Sequence, residues 1–187
     1  MLAAQGKYLA VFFLAVAGGD VWMGVAAALA PGLPPRLSLY QLRADVTIAD
    51  SGLHLHSGVY AVPVDGFADP RHATLGWRAY RSEAAPSTDV DWTALRVAQV
   101  VPETGVELTP DSYILEAGFE ALNGVDFRKG CYVGQEVTAR MQHKTTLRKG
   151  LAQVGVTGSV QPGTALMAGA KVVGTPHSPT GGHDIPH

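Results

Sequence analysis

The sequence predicts a fold of many short strands and a few short helices, and three features of its composition support this. Its 187 residues suffice for one domain, or for two small ones, with a core that needs no disulfides. Hydrophobic residues make up 47% of the chain and charged residues 16%, which excludes a disordered protein. The 22 glycines and 12 prolines follow no period, so they exclude collagen and a long coiled coil and predict frequent turns.

The apolar run near the N-terminus has three interpretations. Lys7 precedes the run 8–17, which resembles a secretory signal, and extension of the run to Ala30 would allow a transmembrane helix. The third interpretation is a buried β-hairpin, in which runs 8–16 and 21–29 flank a turn at Gly18-Gly19-Asp20. These residues alone leave the three interpretations open.

The first half of the chain then predicts one helix and several strands. Prolines within 31–35 end the preceding element, and a short helix is expected over 36–43. Alternation predicts a strand at 45–48 and a strand pair within 51–66. A long surface loop is expected over 67–91, with a strand at 76–80.

The second half predicts three helices followed by strands. Asp91 should cap a helix over 92–101, and Thr109-Pro110-Asp111 should begin another that carries residues 113–119. A third helix is expected over 134–142. Short strands should follow at 147–156, 165–167 and 171–174, and the last eleven residues, which contain His177, His183 and His187, are expected to be a tail.

Charge and cysteine usage limit the classes of function. The net charge of −2 provides no general basic field for nucleic acid. Residues 97–127 hold six acids and no base, whereas residues 128–149 hold six bases and one acid. The local excess of basic residues in 128–149 predicts an anion subsite for a carboxylate ligand or an acidic partner, or else a solvated basic edge. Cys131 is the single cysteine, which excludes an internal disulfide and cannot by itself hold a metal or an iron–sulfur cluster.

The segment 127–136, Phe-Arg-Lys-Gly-Cys-Tyr-Val-Gly-Gln-Glu, is the most informative for chemistry. A thiol just ahead of a helix and close to Lys129 is favoured as a thiolate. The competing interpretation is a buried cysteine in a tight turn. Glu136 and Arg140 are four residues apart on the predicted helix and should form an ion pair.

Residues 129–136, Lys-Gly-Cys-Tyr-Val-Gly-Gln-Glu, resemble the signature of the YgfZ family. These are folate-binding proteins related to the glycine-cleavage aminomethyltransferase, or T-protein. Further matches in the same order extend the resemblance over about residues 5–175: Gln5-Gly6-Lys7, 39–43, Asp69-Pro70-Arg71, 75–78, 101–103, 115–118 and 137–141.

The resemblance implies an α+β fold and a role in iron–sulfur metabolism. It implies a T-protein-like folate-binding domain over 1–143, a small C-terminal β-barrel over 144–176 and a tail over 177–187. The implied role is to bind tetrahydrofolate and to assist assembly or repair of iron–sulfur clusters in client enzymes, such as a tRNA-modifying methylthiotransferase. The implied location is cytoplasmic, or the mitochondrial matrix in a eukaryote, with no nucleic acid or membrane as partner, which favours the hairpin interpretation. The alternative is a tetrahydrofolate-dependent aminomethyltransferase.

Individual site residues follow from the same resemblance. Cys131 matches the cysteine implicated in redox or cluster chemistry. Glu116, in Leu-Glu-Ala-Gly, resembles the glutamate that hydrogen-bonds the pterin ring, although the competing interpretation is an ordinary exposed helix residue. The remaining residues expected to contribute to the cofactor site are Lys129, Gly130, Tyr132, Gly134, Gln135, Glu136 and Arg140.

Two departures from the family pattern affect the expected site. The family has further residues before Gln5, where T-protein carries its catalytic aspartate, so no aspartate is assigned here. The family also continues through barrel strands after Gly174. The chain is therefore expected to be a fragment truncated at both ends, a divergent homologue or the product of a gene with altered ends, with an incomplete folate pocket and barrel.

Overall fold

The computed structural model describes residues 1–144 and 146–178, which form a mixed fold with small antiparallel sheets and three α-helices. The strands are β1 (Phe12–Ala17), β2 (Asp20–Val25), β3 (His54–Gly58), β4 (Phe67–Ala68), β5 (Trp77–Arg81), β6 (Leu166–Ala168) and β7 (Lys171–Gly174). The helices are α1 (Leu33–Gln41), α2 (Trp92–Ala98) and α3 (Gln135–Lys144), with 3-10 turns at Ala27–Gly32 and Ala73–Leu75.

The apolar N-terminal run forms the hairpin that the sequence predicts. Strands β1 and β2 pair in antiparallel register from Phe12 opposite Val25 to Ala17 opposite Asp20. Gly18 and Gly19 both adopt positive φ, as a tight hairpin turn requires. The expectation of a buried hairpin is wrong for its outer face, where Leu14 is 57% and Val16 80% exposed. Within the described residues, no helix is long and apolar enough to cross a membrane.

The inner face of the hairpin packs on the second sheet, whose strand order is β3-β5-β4. The Trp22 ring meets the Tyr80 ring edge-on, with 5.9 Å between centroids. Gly24 has no side chain because a Cβ there would lie 1.9 Å from the Tyr80 hydroxyl. This close approach fixes the hairpin against β5.

Three helices form where sequence signals place them, with shifted ends, and the helix expected over 134–142 is α3. Helix α1 begins at Leu33 because Pro34 and Pro35 fit its first turn, where backbone N–H groups have no helical acceptor. Helix α2 begins after Asp91, whose carboxylate accepts the Ala94 N–H at 2.9 Å. It ends at Ala98, three residues before the predicted end.

Two predictions of strands in the first half are wrong. Residues 45–48 form no strand, since the Gln41 side chain donates to the carbonyls of Ala44 and Val46 in place of a neighbouring strand. Within 51–66 only β3 forms, and it pairs with β5 rather than with a neighbour in the same segment.

The predicted helix over 113–119 is wrong, and the segment is a run of turns. Four side chains in six positions are buried here, which a helix with one inward face could not achieve: Ile114, Leu115, Ala117 and Phe119. Gly118 takes a φ of +75°, which also interrupts helical geometry.

The C-terminal part contains less β-structure than predicted. Strands β6 and β7 form a two-stranded hairpin at the predicted places, but 147–156 forms no strand. No closed barrel is present among residues 146–178. Most of the predicted tail, 179–187, lies outside the described residues together with His183 and His187.

The main core joins the beginning of the chain to its second half. Its buried members are Leu2, Tyr8, Leu108, Ile114, Ala117 and Phe119, and Val11, Val125, Tyr132 and Leu151 pack against them. The Lys7 ammonium lies 4.0 Å from the centre of the Tyr113 ring, and the Tyr8 N–H donates to Ser112 O at 2.9 Å. These contacts hold the N-terminal segment against residues 108–119.

Candidate functional site

The signature loop, residues 127–134, leads directly into α3 and exposes the cysteine. Cys131 is an exposed free thiol, so the interpretation as a buried cysteine is wrong. The Lys129 ammonium lies 5.0 Å from the centre of the Tyr132 ring, and these two residues flank Gly130-Cys131 in the sequence. The loop therefore presents its thiol to solvent next to a cationic side chain.

Gln135 fixes the junction between the signature loop and the helix. The Tyr132 N–H donates to the Gln135 side-chain oxygen at 3.0 Å, and the Gln135 N–H donates back to Tyr132 O at 3.2 Å. This reciprocal arrangement resembles the bonds of a capping box and satisfies groups that a helix start leaves open. Gln135 thus has a structural role, besides the cofactor role that the resemblance implies.

Gly134 and Gly6 let two backbone segments meet at close range. Gly134 has a φ of +84°, and a Cβ there would lie 2.6 Å from Ala3 O and 3.0 Å from the Gly6 Cα. Gly6 has a φ of +72°, and its Cβ would lie 2.9 Å from the Val137 Cβ. Gly130, in contrast, would place its Cβ in open space. Of the two signature glycines, Gly134 is therefore required for a close backbone contact, whereas Gly130 is not.

Helix α3 buries one side and exposes a polar stripe. Thr138 is buried and its hydroxyl donates to Gly134 O at 3.1 Å. Glu136 and Arg140 lie on the exposed side and form the predicted ion pair, with 2.6 Å between Oε1 and Nη2. Because both side chains are largely exposed, the pair contributes little to stability.

Glu116 belongs to the same core region as the signature loop. Its neighbour Ala117 is a buried core residue, and the signature Tyr132 packs on the same core. Glu116 is half-buried, and its carboxylate has no hydrogen bond or ion pair with any described residue. It lies in a run of turns, so the interpretation as an ordinary exposed helix residue is wrong. Its carboxylate can accept hydrogen bonds from a ligand.

Two cavities lie near this region. One of about 440 Å³ is open to solvent and is lined by Glu120, Asn123, Val125, Asp126, Phe127 and Arg128. A second of about 40 Å³ is lined by Val11, Phe13, Arg71, Val101, Pro102, Phe119, Leu122 and Gly124. Neither lining includes Glu116 or a residue of 129–136. Within 1–144 and 146–178, no three His, Cys, Asp or Glu side chains are grouped to hold a metal ion.

A buried carboxylate with two arginines was not recognised as a functional cluster from the sequence. Arg71 binds Asp69 through Nε to Oδ1 at 2.9 Å and Nη2 to Oδ2 at 2.7 Å. Arg78 approaches the same carboxylate at 3.5 Å. Burial alone would raise the pKa of Asp69, but the hydrogen bonds and charge of Arg71, with the charge of Arg78, outweigh it and lower the pKa. The Asp69-Pro70-Arg71 motif is the sequence signal for this cluster, whereas Arg78 lies outside the motif, on β5.

A second ion cluster ties residues near the end of the described chain to its middle. Glu107 Oε2 lies 3.0 Å from Arg96 Nη1, and the Ser178 hydroxyl donates to Glu107 Oε1 at 2.5 Å. Burial would raise the pKa of Glu107, but these bonds and the Glu103 N–H lower it. Ser178, which the sequence places in the tail, thus contacts the folded body.

The chain is similar to known proteins whose names agree with the role that the signature resemblance implies. No protein-family model matches the chain. Its relatives include iron–sulfur cluster assembly factors. The mouse protein named mitochondrial iron–sulfur cluster assembly factor IBA57 is 34% identical over 168 residues, which covers 76% of this chain and 47% of the mouse protein. The human protein of the same name is 32% identical over 176 residues, covering 76% of this chain and 49% of its own length.

A third relative carries a different name. The Arabidopsis thaliana protein At1g60990, named a putative transferase of the chloroplast, is 30% identical over 145 residues, covering 70% of this chain and 33% of its own length. The chain spans about half the length of the mouse and human relatives that it matches. The names of the mouse and human proteins agree with the iron–sulfur role that the signature resemblance implies.

Proposed function

We propose that the chain acts in assembly or repair of iron–sulfur clusters carried by other proteins. The observation that carries this proposal is the similarity to two mitochondrial iron–sulfur cluster assembly factors over three quarters of the chain. The exposed thiol of Cys131 on a fixed loop supports it, because thiolates are the preferred ligands of such clusters. The cluster is then the cargo of the chain.

Cys131 serves in this proposal as one ligand of a cluster shared with a partner. A stable cluster commonly uses four thiolates, and the chain has one cysteine. The remaining ligands therefore come from the client or from another assembly protein. Tyr132 and Gly134 hold the loop on the core, so that the exposed thiol is available to a partner from a fixed loop.

Tetrahydrofolate is the proposed small-molecule ligand, with Glu116 as its pterin contact. The support is a half-buried carboxylate without a partner among the described residues, which can accept two parallel N–H donors from a pterin. Lys129 keeps its ammonium available for an anionic part of the ligand. Tyr132, Gly134 and Gln135 contribute by fixing the loop.

The proposed clients are iron–sulfur enzymes, and a tRNA-modifying methylthiotransferase is one example. The mouse and human relatives are named as mitochondrial, which supports a mitochondrial location for a eukaryotic chain, with the cytoplasm as the counterpart in a bacterium.

One observation favours a second function, that of an aminomethyltransferase using tetrahydrofolate. The Arabidopsis relative is named a putative transferase. The two functions differ in the fate of the folate, which accepts a one-carbon unit only in the transferase. Turnover of a lipoyl-bound aminomethyl group by the purified chain would establish the second function and remove the first.

The cluster role is tested in cells that lack the full-length homologue and have lost the activity of an iron–sulfur enzyme. The wild-type chain should restore this activity, and Cys131→Ser should restore less of it. Val133→Ala is the matched control, because Val133 is an exposed apolar neighbour in the same loop. Full restoration by Cys131→Ser would contradict the role of the thiol.

Folate binding is tested separately by titrating the purified chain with tetrahydrofolate and following tryptophan fluorescence. Glu116→Gln should weaken binding by about 1–3 kcal/mol, the cost of losing a charged hydrogen bond. Glu120→Gln is the control, since Glu120 lies in the same run of turns but already accepts a bond from Gln142 at 3.2 Å. Absence of binding to the wild type would remove folate from the proposal, and equal affinities would remove Glu116.

A further inference from the structure

Exposed basic side chains without an anionic partner follow the signature loop. Residues 128–149 hold six bases and one acid, and that acid, Glu136, pairs with Arg140 at 2.6 Å. Three further bases are exposed, and we call them the basic surface: Lys144, Arg148 and Lys149. None of these three side chains forms a hydrogen bond or an ion pair with another described residue. Their charges are therefore available to an anion from solution.

Helix α3 connects the basic surface to the exposed thiol. The helix begins directly after the signature loop, and Lys144 is its last residue. Its ten residues span about 15 Å. A standard protein interface covers about 800 Å² of each partner, and a helix of this length fits inside such a footprint. One docked partner can therefore reach both Cys131 and the end of α3.

The chain then returns to the core that carries the signature loop. A Cβ on Gly150 would lie 3.8 Å from Glu116 O, which is an ordinary contact distance. Leu151 packs on the same core cluster as Tyr132 of the signature loop. The two bases at 148–149 thus lie where the chain rejoins this core, so the fold keeps them in the same region of the molecule as the thiol.

The positive potential of this region is local. The whole chain carries a net charge of −2, so its overall field repels anions weakly. An anionic group that approaches Cys131 instead meets the basic surface and the Lys129 ammonium, which lies in the signature loop itself. Complementary charge of this kind increases the rate of encounter and orients the partner.

We propose that the basic surface docks an acidic segment of the protein that shares a cluster through Cys131. This inference rests on the proposed cluster function and names the chemistry of its partner. A protein partner is favoured over a nucleic acid because the remaining thiolate ligands of a shared cluster must come from cysteines. The acidic segment pairs with the basic surface and brings those cysteines to the exposed thiol.

The docking is tested on the full chain by thiol–disulfide exchange at Cys131. The probes are hexaglutamate, hexaglutamine and hexalysine peptides, each ending in a cysteine whose sulfur is joined to thionitrobenzoate. The Cys131 thiolate attacks the peptide sulfur, a new disulfide joins chain and peptide, and the coloured thionitrobenzoate thiolate leaves. Because Cys131 is the single cysteine, the colour reports this residue alone.

The basic surface should make the acidic peptide the fastest probe. At low salt we expect hexaglutamate to react about tenfold faster than hexaglutamine, and hexalysine to react more slowly than both. The difference should disappear in 1 M salt, where the Debye length is about 3 Å. Equal rates for hexaglutamate and hexaglutamine, or the reverse order that the net charge of −2 alone would give, would overturn the proposal.

Charge-reversal variants locate the effect. Lys144→Glu should reduce the advantage of hexaglutamate about threefold, whereas Lys171→Glu is the matched control, since Lys171 is an exposed base on β7, outside the basic surface. If Lys144→Glu fails to fold because a negative charge is unfavourable at a helix C-terminus, Lys149→Glu replaces it. An unchanged advantage, or an equal loss in Lys171→Glu, would refute the assigned surface.

A final probe distinguishes an acidic protein from a nucleic acid. Hexauridylate with a 5′ thiol, activated in the same way, should react more slowly than hexaglutamate, and a faster reaction would overturn the choice of a protein. The assay needs neither cluster nor folate. Loss of the peptide preference would therefore remove the docking surface alone, whereas full restoration of enzyme activity in cells by Cys131→Ser would remove the role of the thiol in the cluster function.

Discussion

Replacing Gly134 by alanine tests whether this signature glycine serves the contact with the N-terminal segment. The new methyl group would lie 2.6 Å from Ala3 O, a distance at which the two backbone segments must separate. The φ of +84° adds a second penalty, because side chains with a Cβ avoid this conformation. Gly130→Ala is the matched control in the same loop, since its Cβ would meet nothing within 4 Å.

The expected loss in the free energy of unfolding follows from these two terms. The left-handed backbone costs about 1–2 kcal/mol for a residue with a Cβ. Forcing a methyl group into a packed contact costs about 1–3 kcal/mol. Gly134→Ala should therefore lose about 2–5 kcal/mol, a large part of the ~5–15 kcal/mol that stabilises a typical domain. Gly130→Ala should change the free energy of unfolding by less than about 1 kcal/mol.

Urea unfolding followed by tryptophan fluorescence measures both variants against the wild type. The midpoint should fall for Gly134→Ala and stay nearly unchanged for Gly130→Ala, with equal slopes for all three proteins. Equal midpoints for the two variants would refute the assigned structural role of Gly134. In that case, its presence in the signature would have to be explained by a ligand.

Three further predictions concern the buried carboxylate, the cysteine and the hairpin. The pKa of Asp69 is lower in the fold than in the unfolded chain, so its carboxylate stabilises the fold above the unfolded pKa and this contribution is lost as pH falls through the folded pKa. Asp69→Asn should therefore lose about 3 kcal/mol at pH 7 and less near pH 3 in urea unfolding, and a difference independent of pH would contradict this. Cys131 is exposed and should react completely with a thiol reagent in the native chain, whereas protection that disappears in urea would show that it is buried. Gly24→Ala should lower the midpoint of urea unfolding because its methyl group meets Tyr80, while Gly32→Ala, which meets nothing within 4 Å, is the control, and equal midpoints would contradict the packing of the hairpin on β5.

Local signals predicted those parts of the fold that depend on local chemistry. The Gly-Gly turn predicted the hairpin, Asp91 predicted the start of α2, and the Glu136–Arg140 spacing predicted the pair on α3. Each of these depends on residues that are close in the sequence. Thr109-Pro110-Asp111 is a local helix-start signal that fails, because the apolar residues after it pack against the distant N-terminal segment and the chain continues as turns.

The candidate site likewise has some features that a local sequence pattern predicts and others that only the fold reveals. Cys131 and its loop could be located from the signature, whose iron–sulfur role agrees with the names of the relatives, but the exposure of the thiol is seen only in the fold. The contact between Gly134 and Ala3 joins residues more than a hundred positions apart, which no local pattern reveals. Arg78 reaches Asp69 only because β4 and β5 pair in register, so its approach to this carboxylate could be recognised only in the fold.

The core contacts between the N-terminal segment and residues 108–119 affect the order in which the chain folds. Leu2 and Tyr8 pair with each other locally, but their other buried core partners, from Leu108 to Phe119, are made at least a hundred residues later, and Leu151 later still. Contacts of such long sequence separation slow folding, because the long loop must close before the contacts stabilise it. During synthesis the strands β1 and β2 can pair early. The apolar residues before them lack their distant core partners until the second half of the chain has been made. A ribosome-bound chain should therefore keep residues 2–11 accessible to chaperones until the segment beyond residue 119 has emerged.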